Sequence, residues 1–102
     1  MTTLADFLTV SMVLLAIGVY GLVRSRNAIR MLFAVEIIIS AANINLVAFS
    51  RFSNPMDLTG QVFALFSIAI GAAEAAVGLA IIILVFRLTG DVDIAALRRL
   101  RK

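Results

Sequence analysis

Two glutamates stand out in this sequence because each lies within a long apolar segment. Glu74 is the only charged residue between residues 60 and 86, and Glu36 lies in the preceding apolar segment. A carboxylate in the middle of a membrane-spanning helix is costly, so it usually faces a protein interior and usually has a function. A carboxyl group removed from water can change its charge near neutral pH, and two such groups repel when both are ionised. The pair therefore predicts an element that shares and passes a proton inside a membrane.

The depth of each glutamate follows from the helical rise of about 1.5 Å per residue, which places Glu36 about 12 Å and Glu74 about 18 Å from the cytoplasmic ends of their helices. Packed helices lie roughly 8–10 Å apart, so the two carboxylates are expected roughly 10 Å apart if their faces meet. That separation suits a short water chain better than direct transfer. The alternative interpretation is that both glutamates stay protonated and only hydrogen-bond between helices.

Polar side chains accompany both glutamates at helical spacing. Ser40 and Asn43 follow Glu36 at i+4 and i+7 and share its face, whereas Asn45 points roughly the other way. One face of the last apolar segment collects a similar set of small and polar residues: Ser67, Gly71, Glu74 and Gly78. We expect Ser40, Asn43 and Ser67 either to hydrogen-bond between helices or to line a water chain.

The composition limits the chemistry to these carboxyl groups. The chain has 102 residues, 63% of them hydrophobic, a mean hydropathy of +1.11, and no Cys or His. A membrane protein is therefore predicted, and thiol chemistry, disulfides, Cys/His metal sites and haem or Fe–S ligation are excluded. The sequence pI of 10.7 reflects basic clusters beside apolar segments, which are topology signals and not a nucleic-acid surface. Neither a nucleophile, nor a phosphate loop, nor a metal or cofactor site is predicted.

Three apolar segments must position the glutamates. They cover residues 4–23, 28–49 and 60–86, and a polar tail follows at 87–102. About 20 apolar residues suffice for a helix to cross a bilayer, so each segment is long enough. The predicted fold class is an all-α membrane protein with three transmembrane helices in a single domain. The short turn between the first two segments makes their helices antiparallel neighbours.

Small residues predict where these helices approach closely, because they let two backbones come near each other. Two such stripes are present: Ser11, Gly18 and Gly21 in the first segment, and Ser67, Gly71 and Ala75 with Ala72 and Ala76 in the last. Three helices with inward polar faces cannot satisfy those faces by themselves. We therefore expect other membrane subunits around this chain, in addition to the lipid bilayer.

Basic residues predict the orientation. Three of the nine flank the first turn, and five follow the last apolar segment. The first group is Arg24, Arg26 and Arg30. By the positive-inside rule the first turn and the C-terminus are cytoplasmic or stromal, and the N-terminus is lumenal or periplasmic. A docking or coupling role for the three arginines is the second interpretation. In the tail, Ile94, Leu97 and Leu100 alternate with Arg98, Arg99 and Arg101, which predicts a short interfacial helix.

Two stretches of this sequence resemble a known family. They are SRNAIRMLFAVEIIISAANINLVAFS at residues 25–50 and FSIAIGAAEAAVGLAI at residues 66–81. Both are similar to the NuoK family, the smallest membrane-arm subunit of complex I, called 4L in mitochondria. The match covers nearly the whole chain. Ser25-Arg26-Asn27, Asn43-Ile44-Asn45 and the run AIGAAEAA look most like the photosynthetic branch, NdhE, of cyanobacteria and chloroplasts.

The resemblance implies a role in a larger machine. It implies a place in the proton-pumping membrane arm, beside the quinone-proximal and antiporter-like subunits, in the thylakoid membrane. The family's proton path would include Glu36 and Glu74, and the basic residues of its first cytoplasmic loop would be Arg24, Arg26 and Arg30. The complex would take electrons from ferredoxin or NAD(P)H, reduce plastoquinone, and serve cyclic electron flow and respiration. Plastoquinone and the Fe–S clusters would belong to other subunits, so no cofactor and no redox chemistry is expected in this chain.

Four alternative hypotheses about the function compete with the one implied by this resemblance. Small multidrug exporters have four spans and an essential glutamate in the first, whereas this chain shows three spans and none there. An ATP synthase rotor subunit is a two-span hairpin with one carboxylate, so the span count argues against it. A subunit of a multi-subunit sodium/proton antiporter is closer, although the photosynthetic motif runs argue against it. The last alternative is a purely structural scaffold.

Overall fold

The computed structural model describes residues 2–94, and they form three long helices. These are α1 (Leu4–Arg24), α2 (Ala28–Arg51) and α3 (Thr59–Thr89). Each is long and apolar enough to cross a membrane by length and composition. The three predicted helices are therefore confirmed, and each ends one to three residues later than expected. The short helix predicted in the tail lies outside the described residues, apart from Ile94.

Local side-chain chemistry explains where the helices begin and end. Thr3 and Asp6 form a capping box at the start of α1, in which each side chain accepts a hydrogen bond from the other residue's backbone N–H. The Asn27 side chain accepts from the N–H of Ile29 at 2.9 Å and so caps α2. At the end of α3, Gly90 takes a left-handed conformation with φ of 74°, which costs glycine little and stops the helix.

α2 lies in the middle of the molecule. It contacts α1 on one side and α3 on another, whereas within residues 2–94 no Cα atom of α1 lies within 8 Å of a Cα atom of α3. Four small residues form the buried hydrophobic set of this part of the chain: Ala34, Ala41, Ala48 and Ala64. A row of three helices encloses little interior, so most of the large apolar side chains are exposed. They are available to contact lipid or other subunits.

The contact between α1 and α2 depends on the predicted small-residue stripe. Ser11 is 1% exposed and Gly18 is buried. A Cβ atom at Gly18 would lie 2.6 Å from Cγ1 of Ile38 and 3.1 Å from the carbonyl oxygen of Ala34, so no larger residue fits without movement. Gly21 continues the stripe against Ala34. The prediction of close packing on this side of α1 is confirmed.

Glycines also set the contact between α2 and α3. A Cβ atom at Gly60 would collide with the carbonyl oxygen of Leu46, and one at Gly78 would lie 3.3 Å from Cδ1 of Leu32. Gly71, which is buried, lies between these two points. The backbone of α3 therefore runs close to α2 along most of its length.

The turn between α1 and α2 pairs with the chain that follows α3. The N–H of Ala28 donates to the carbonyl of Val92, and the N–H of Ile94 donates to the carbonyl of Arg26, each at 2.8 Å. An antiparallel bridge joins Asn27 and Asp93 between these bonds. We refer to residues 26–28 and 92–94 together as the loop–tail pairing. It was not predicted from the sequence.

Candidate functional site

Glu36 lies on the side of α2 that faces α3. Its side chain is half-buried, and a Cβ atom built on Gly71 would lie 3.7 Å from its Oε2. The glutamate thus packs against the part of α3 that has no side chain. That distance is an ordinary van der Waals contact, so the carboxyl group of Glu36 lies directly against α3 at the level of Gly71.

Glu74 follows Gly71 by three residues, which is about 4.5 Å along the helix axis. Its side chain is exposed in this chain, whereas Gly71 is buried and Ala75 and Gly78 are half-buried. The prediction that Glu74 lies on the same side of α3 as Gly71 and Gly78 fits the helix geometry. Because α2 does not cover the Glu74 side chain, its facing a protein interior stays a prediction. Three residues turn an α-helix by about 300°, which places Glu74 at the edge of the narrow face that contacts α2.

The two glutamates nevertheless border the same level of the α2–α3 contact. Glu36 packs against Gly71, and Glu74 lies within one turn of that glycine. Two carboxyl groups at one depth of an apolar pair of helices form an arrangement in which a proton can be held and handed on. The proton-carrying role itself stays a prediction.

The three polar residues predicted to accompany the glutamates have different surroundings. Ser40 is exposed, and its hydroxyl donates to the backbone carbonyl of Glu36 at 2.9 Å, a bond within α2 and not between helices. Ser67 is half-buried on α3. Asn43 is half-buried, and its Oδ1 atom is buried without a hydrogen-bond partner among the described residues. Of the three, Asn43 has the strongest need for a further polar partner.

A polar pair that the sequence analysis did not assemble joins α1 to α2. The Ser11 hydroxyl donates to Oδ1 of Asn45 at 2.5 Å, and Asn45 points away from the glutamate face as predicted. The sequence analysis identified both residues of this pair, but in two separate apolar segments. Ser11 belongs to the small-residue stripe, and Asn45 is a polar residue on the opposite side of α2 from Glu36. Only the pairing of the two helices brings them together.

Comparison with known proteins identifies the family. Residues 6–102 match the family model described as NADH-ubiquinone/plastoquinone oxidoreductase chain 4L. The chain belongs to the chain 4L family. The resemblance noted at residues 25–50 and 66–81 is confirmed.

Curated members of the chain 4L family align over most of the sequence. NAD(P)H-quinone oxidoreductase subunit 4L of Synechococcus sp. (strain JA-3-3Ab) is 46% identical over 99% of both chains. The chloroplastic NAD(P)H-quinone oxidoreductase subunit 4L of Staurastrum punctulatum is 58% identical over 72% of this chain and 74% of its own. NADH-quinone oxidoreductase subunit K of Brevibacillus brevis is 39% identical over 98% of this chain and 97% of its own.

In this 4L-family chain, the three predicted loop arginines lie at one end of the molecule. Arg24, Arg26 and Arg30 are all exposed. Arg26 and Arg30 line a small polar cavity together with Asp91 and Asp93, which the loop–tail pairing brings there. Sequence reasoning missed this arrangement because a two-residue bridge between irregular segments has no periodic pattern to reveal it. Within residues 2–94, no three acidic side chains come together as a metal-binding group.

Proposed function

We propose that this chain is a membrane-arm subunit of a proton-pumping, complex I-like NAD(P)H- or ferredoxin-plastoquinone oxidoreductase of the thylakoid membrane. The observation that carries the proposal is Glu36, a half-buried carboxyl group inside an apolar helix that lies against Gly71 of the next helix. Two further findings support the assignment to this complex. The chain belongs to the chain 4L family, and its relatives in cyanobacteria and chloroplasts are named as NAD(P)H-quinone oxidoreductase subunits.

Glu36 and Glu74 belong to the path that couples quinone reduction to proton translocation in cyclic electron flow and respiration. When two nearby carboxyl groups share one proton, the gain of a proton on one favours its loss from the other. Asn43, with an orphaned carbonyl oxygen, and Ser67 extend the polar surface along which water can be ordered. The exposed Glu74 needs a neighbouring quinone-proximal or antiporter-like subunit to cover it, because an ionisable group facing lipid is costly.

The electron transfer takes place elsewhere in the complex. Plastoquinone and Fe–S clusters are bound by other subunits, and this chain contributes no redox group. The loop arginines Arg24, Arg26 and Arg30 lie on the stromal or cytoplasmic side with the C-terminus, and the N-terminus is lumenal or periplasmic. The basic residues at that end support this orientation, because cytoplasmic loops carry an excess of Lys and Arg.

The test is Glu36→Gln in the assembled complex. Glutamine keeps the size of the side chain and its ability to hydrogen-bond but cannot release a proton. We expect normal assembly on native gels and a severalfold loss of proton uptake into vesicles per quinone reduced. Asp57→Asn is the matched control, since it neutralises an exposed carboxylate outside the helices and should leave uptake unchanged.

Two results would reject the proposal in different ways. Normal proton uptake in both Glu36→Gln and Glu74→Gln would leave a structural scaffold as the role of this chain. The second result is that the wild-type chain does not co-purify with a quinone oxidoreductase and is recovered with a sodium/proton antiporter. The chain would then be a subunit of the antiporter.

A further inference from the structure

An apolar groove lies between α1 and α3, near the turn that joins α2 to α3. It exists because both outer helices pack on α2 and not on each other. Its volume is about 290 Å³. Phe7 of α1 forms one wall, Ile68 and Ala64 of α3 form the other, and Ile44 and Val47 of α2 form the floor. This lining is almost wholly apolar and the groove is open along one side.

A single cation stands at the outer end of this groove. The guanidinium carbon of Arg51 lies 5.9 Å from the ring centre of Phe7 and 5.5 Å from that of Phe52. The two rings are themselves in contact, with centres 5.7 Å apart. Cation–π contacts of this kind hold the guanidinium in place and leave its N–H groups able to donate.

No acidic side chain of residues 2–94 neutralises Arg51, since none lies within 4.0 Å of it. Two acidic residues near this end of the molecule have local partners instead. Asp6 accepts from the N–H of Thr3 at 3.0 Å, and Asp57 accepts from the N–H and the hydroxyl of Thr59 at 2.9 and 2.7 Å. The guanidinium group of Arg51 is therefore positioned by aromatic rings, and it is available to bind an anion from outside the described residues.

We propose that the groove holds one acyl chain of a membrane lipid whose phosphate or sulfonate headgroup accepts hydrogen bonds from Arg51. Arg51 is the last residue of α2, at the end of a helix long and apolar enough to cross a membrane, and the groove extends from it along the helix as far as Asn43. Eight residues of helix span about 12 Å. A guanidinium presents its donors in a fork that matches the oxygen atoms of such a headgroup.

The order of the groups along the groove favours a lipid over a helix of another subunit. An apolar lining that ends at one cation matches an acyl chain that ends at an anionic headgroup. The apolar lining gives an acyl chain the same surroundings as the bilayer core. The contact of the headgroup with Arg51 distinguishes a specifically bound lipid from one that exchanges freely with the bilayer.

The first experiment places a photo-crosslinking amino acid at position 68 of the chain in the assembled complex, in native membranes. Position 70 is the matched control, since Ile68 and Ile70 are 56% and 58% exposed and Ile70 does not line the groove. We expect a lipid-sized mass added at position 68, severalfold more abundant than at position 70. A polypeptide adduct at position 68, or equal lipid adducts at both positions, would overturn the proposal.

The second experiment changes Arg51 in the chain that carries the crosslinker at position 68. Arg51→Gln should reduce the adducts of phosphate- and sulfonate-bearing lipids severalfold, and Arg51→Lys should retain part of them. Arg24→Gln, at the other end of the molecule, should have no effect. Unchanged adducts in Arg51→Gln would refute the headgroup contact. Native gels monitor assembly and proton uptake monitors the proposed function, so a failure of either is visible independently of lipid binding.

Discussion

Asn43 and Asn45 are two residues apart on α2 and have opposite surroundings. Asn45 accepts a hydrogen bond from Ser11 of α1, whereas Oδ1 of Asn43 is buried without a partner among the described residues. Two residues turn a helix by about 200°, so one amide faces α1 and the other does not. A partnered amide stabilises the contact between two helices, and an orphaned one costs free energy until another group supplies a donor.

This contrast predicts unequal effects of the same substitution. Asn45→Leu should lower the free energy of unfolding of the chain in bicelles by about 0.6 kcal/mol, and by no more than about 2 kcal/mol, the range measured for hydrogen bonds between membrane helices. Asn43→Leu removes an unsatisfied group and should leave this free energy unchanged or raise it. Denaturant titration of both variants checks the order. A larger loss for Asn43→Leu would contradict the assignment of Asn45 as the partner of Ser11.

The residue scale also shows how far the sequence predicts the site. The identity of Glu36 and Glu74 as the exceptional residues follows from their position in apolar runs, and no structure is needed for it. The exposure of Glu74 does not follow, because a helical wheel gives angles around one helix and not the identity of the neighbour on each side. Ser40 illustrates the same point, since its hydroxyl bonds to its own helix.

α3 is the longest element, with 31 residues from Thr59 to Thr89. Its length is about 46 Å at the standard rise, well beyond a hydrocarbon core of about 30 Å. The sequence placed its end at residue 86 because Arg87 looked like the start of the tail. A basic residue in the last turn instead stabilises a helix C-terminus, and the stop comes at Gly90. The starts of all three helices were predicted to within one residue, and charged or turn residues precede the second and third apolar runs.

The start of α3 gives a prediction about pH. Hydrogen bonds from the Thr59 hydroxyl, and then from its backbone N–H, lower the pKa of Asp57 below its ordinary value of 3.8. A lowered pKa means that the folded state favours the carboxylate. Its contribution to stability is therefore complete above the ordinary pKa and is lost as the pH falls through the folded-state pKa.

Hydrogen exchange at the amides that open α3 checks this prediction. In the wild-type chain, exchange should accelerate relative to Asp57→Asn when the pH falls below about 3.8, the ordinary pKa of the group. Asparagine keeps an acceptor oxygen but does not titrate in this range, so it supplies the reference at each pH. A constant ratio between the two chains through that range would show that the Thr59 contacts do not depend on the charge of Asp57.

At the scale of the whole molecule, α2 is the only helix that touches both others in residues 2–94. The sequence predicted three spans and the antiparallel packing of the first two, because their connecting turn is short. It did not predict the gap between α1 and α3, since that gap depends on how each outer helix rotates around α2. Nor did it predict which apolar faces would remain uncovered.

The alternation of three spans leads to a prediction about orientation. The loop–tail pairing brings residues 26–28 and 92–94 to one end of the molecule, and the turn at residues 52–58 lies at the other. A reporter fused after Lys102 should be accessible from the cytoplasmic or stromal side, because Arg24, Arg26, Arg30 and Arg87 are concentrated at that end. A reporter inserted within residues 52–58 should be accessible only from the opposite side. The reverse pattern would invert the proposed orientation.

The loop–tail pairing also determines what an approaching protein can recognise at this end. The backbone groups of Arg26 and Ala28 already bond to the tail, the Asn27 carbonyl accepts from Ser25 and Met31, and the Asn27 side chain caps α2. The backbone of this loop therefore offers a binding partner little opportunity to pair as an added strand or to form main-chain hydrogen bonds. What this end displays instead is charged side chains of both signs, because Arg26 and Arg30 line a polar cavity together with Asp91 and Asp93. Recognition at this end therefore depends on charged side chains and not on main-chain pairing.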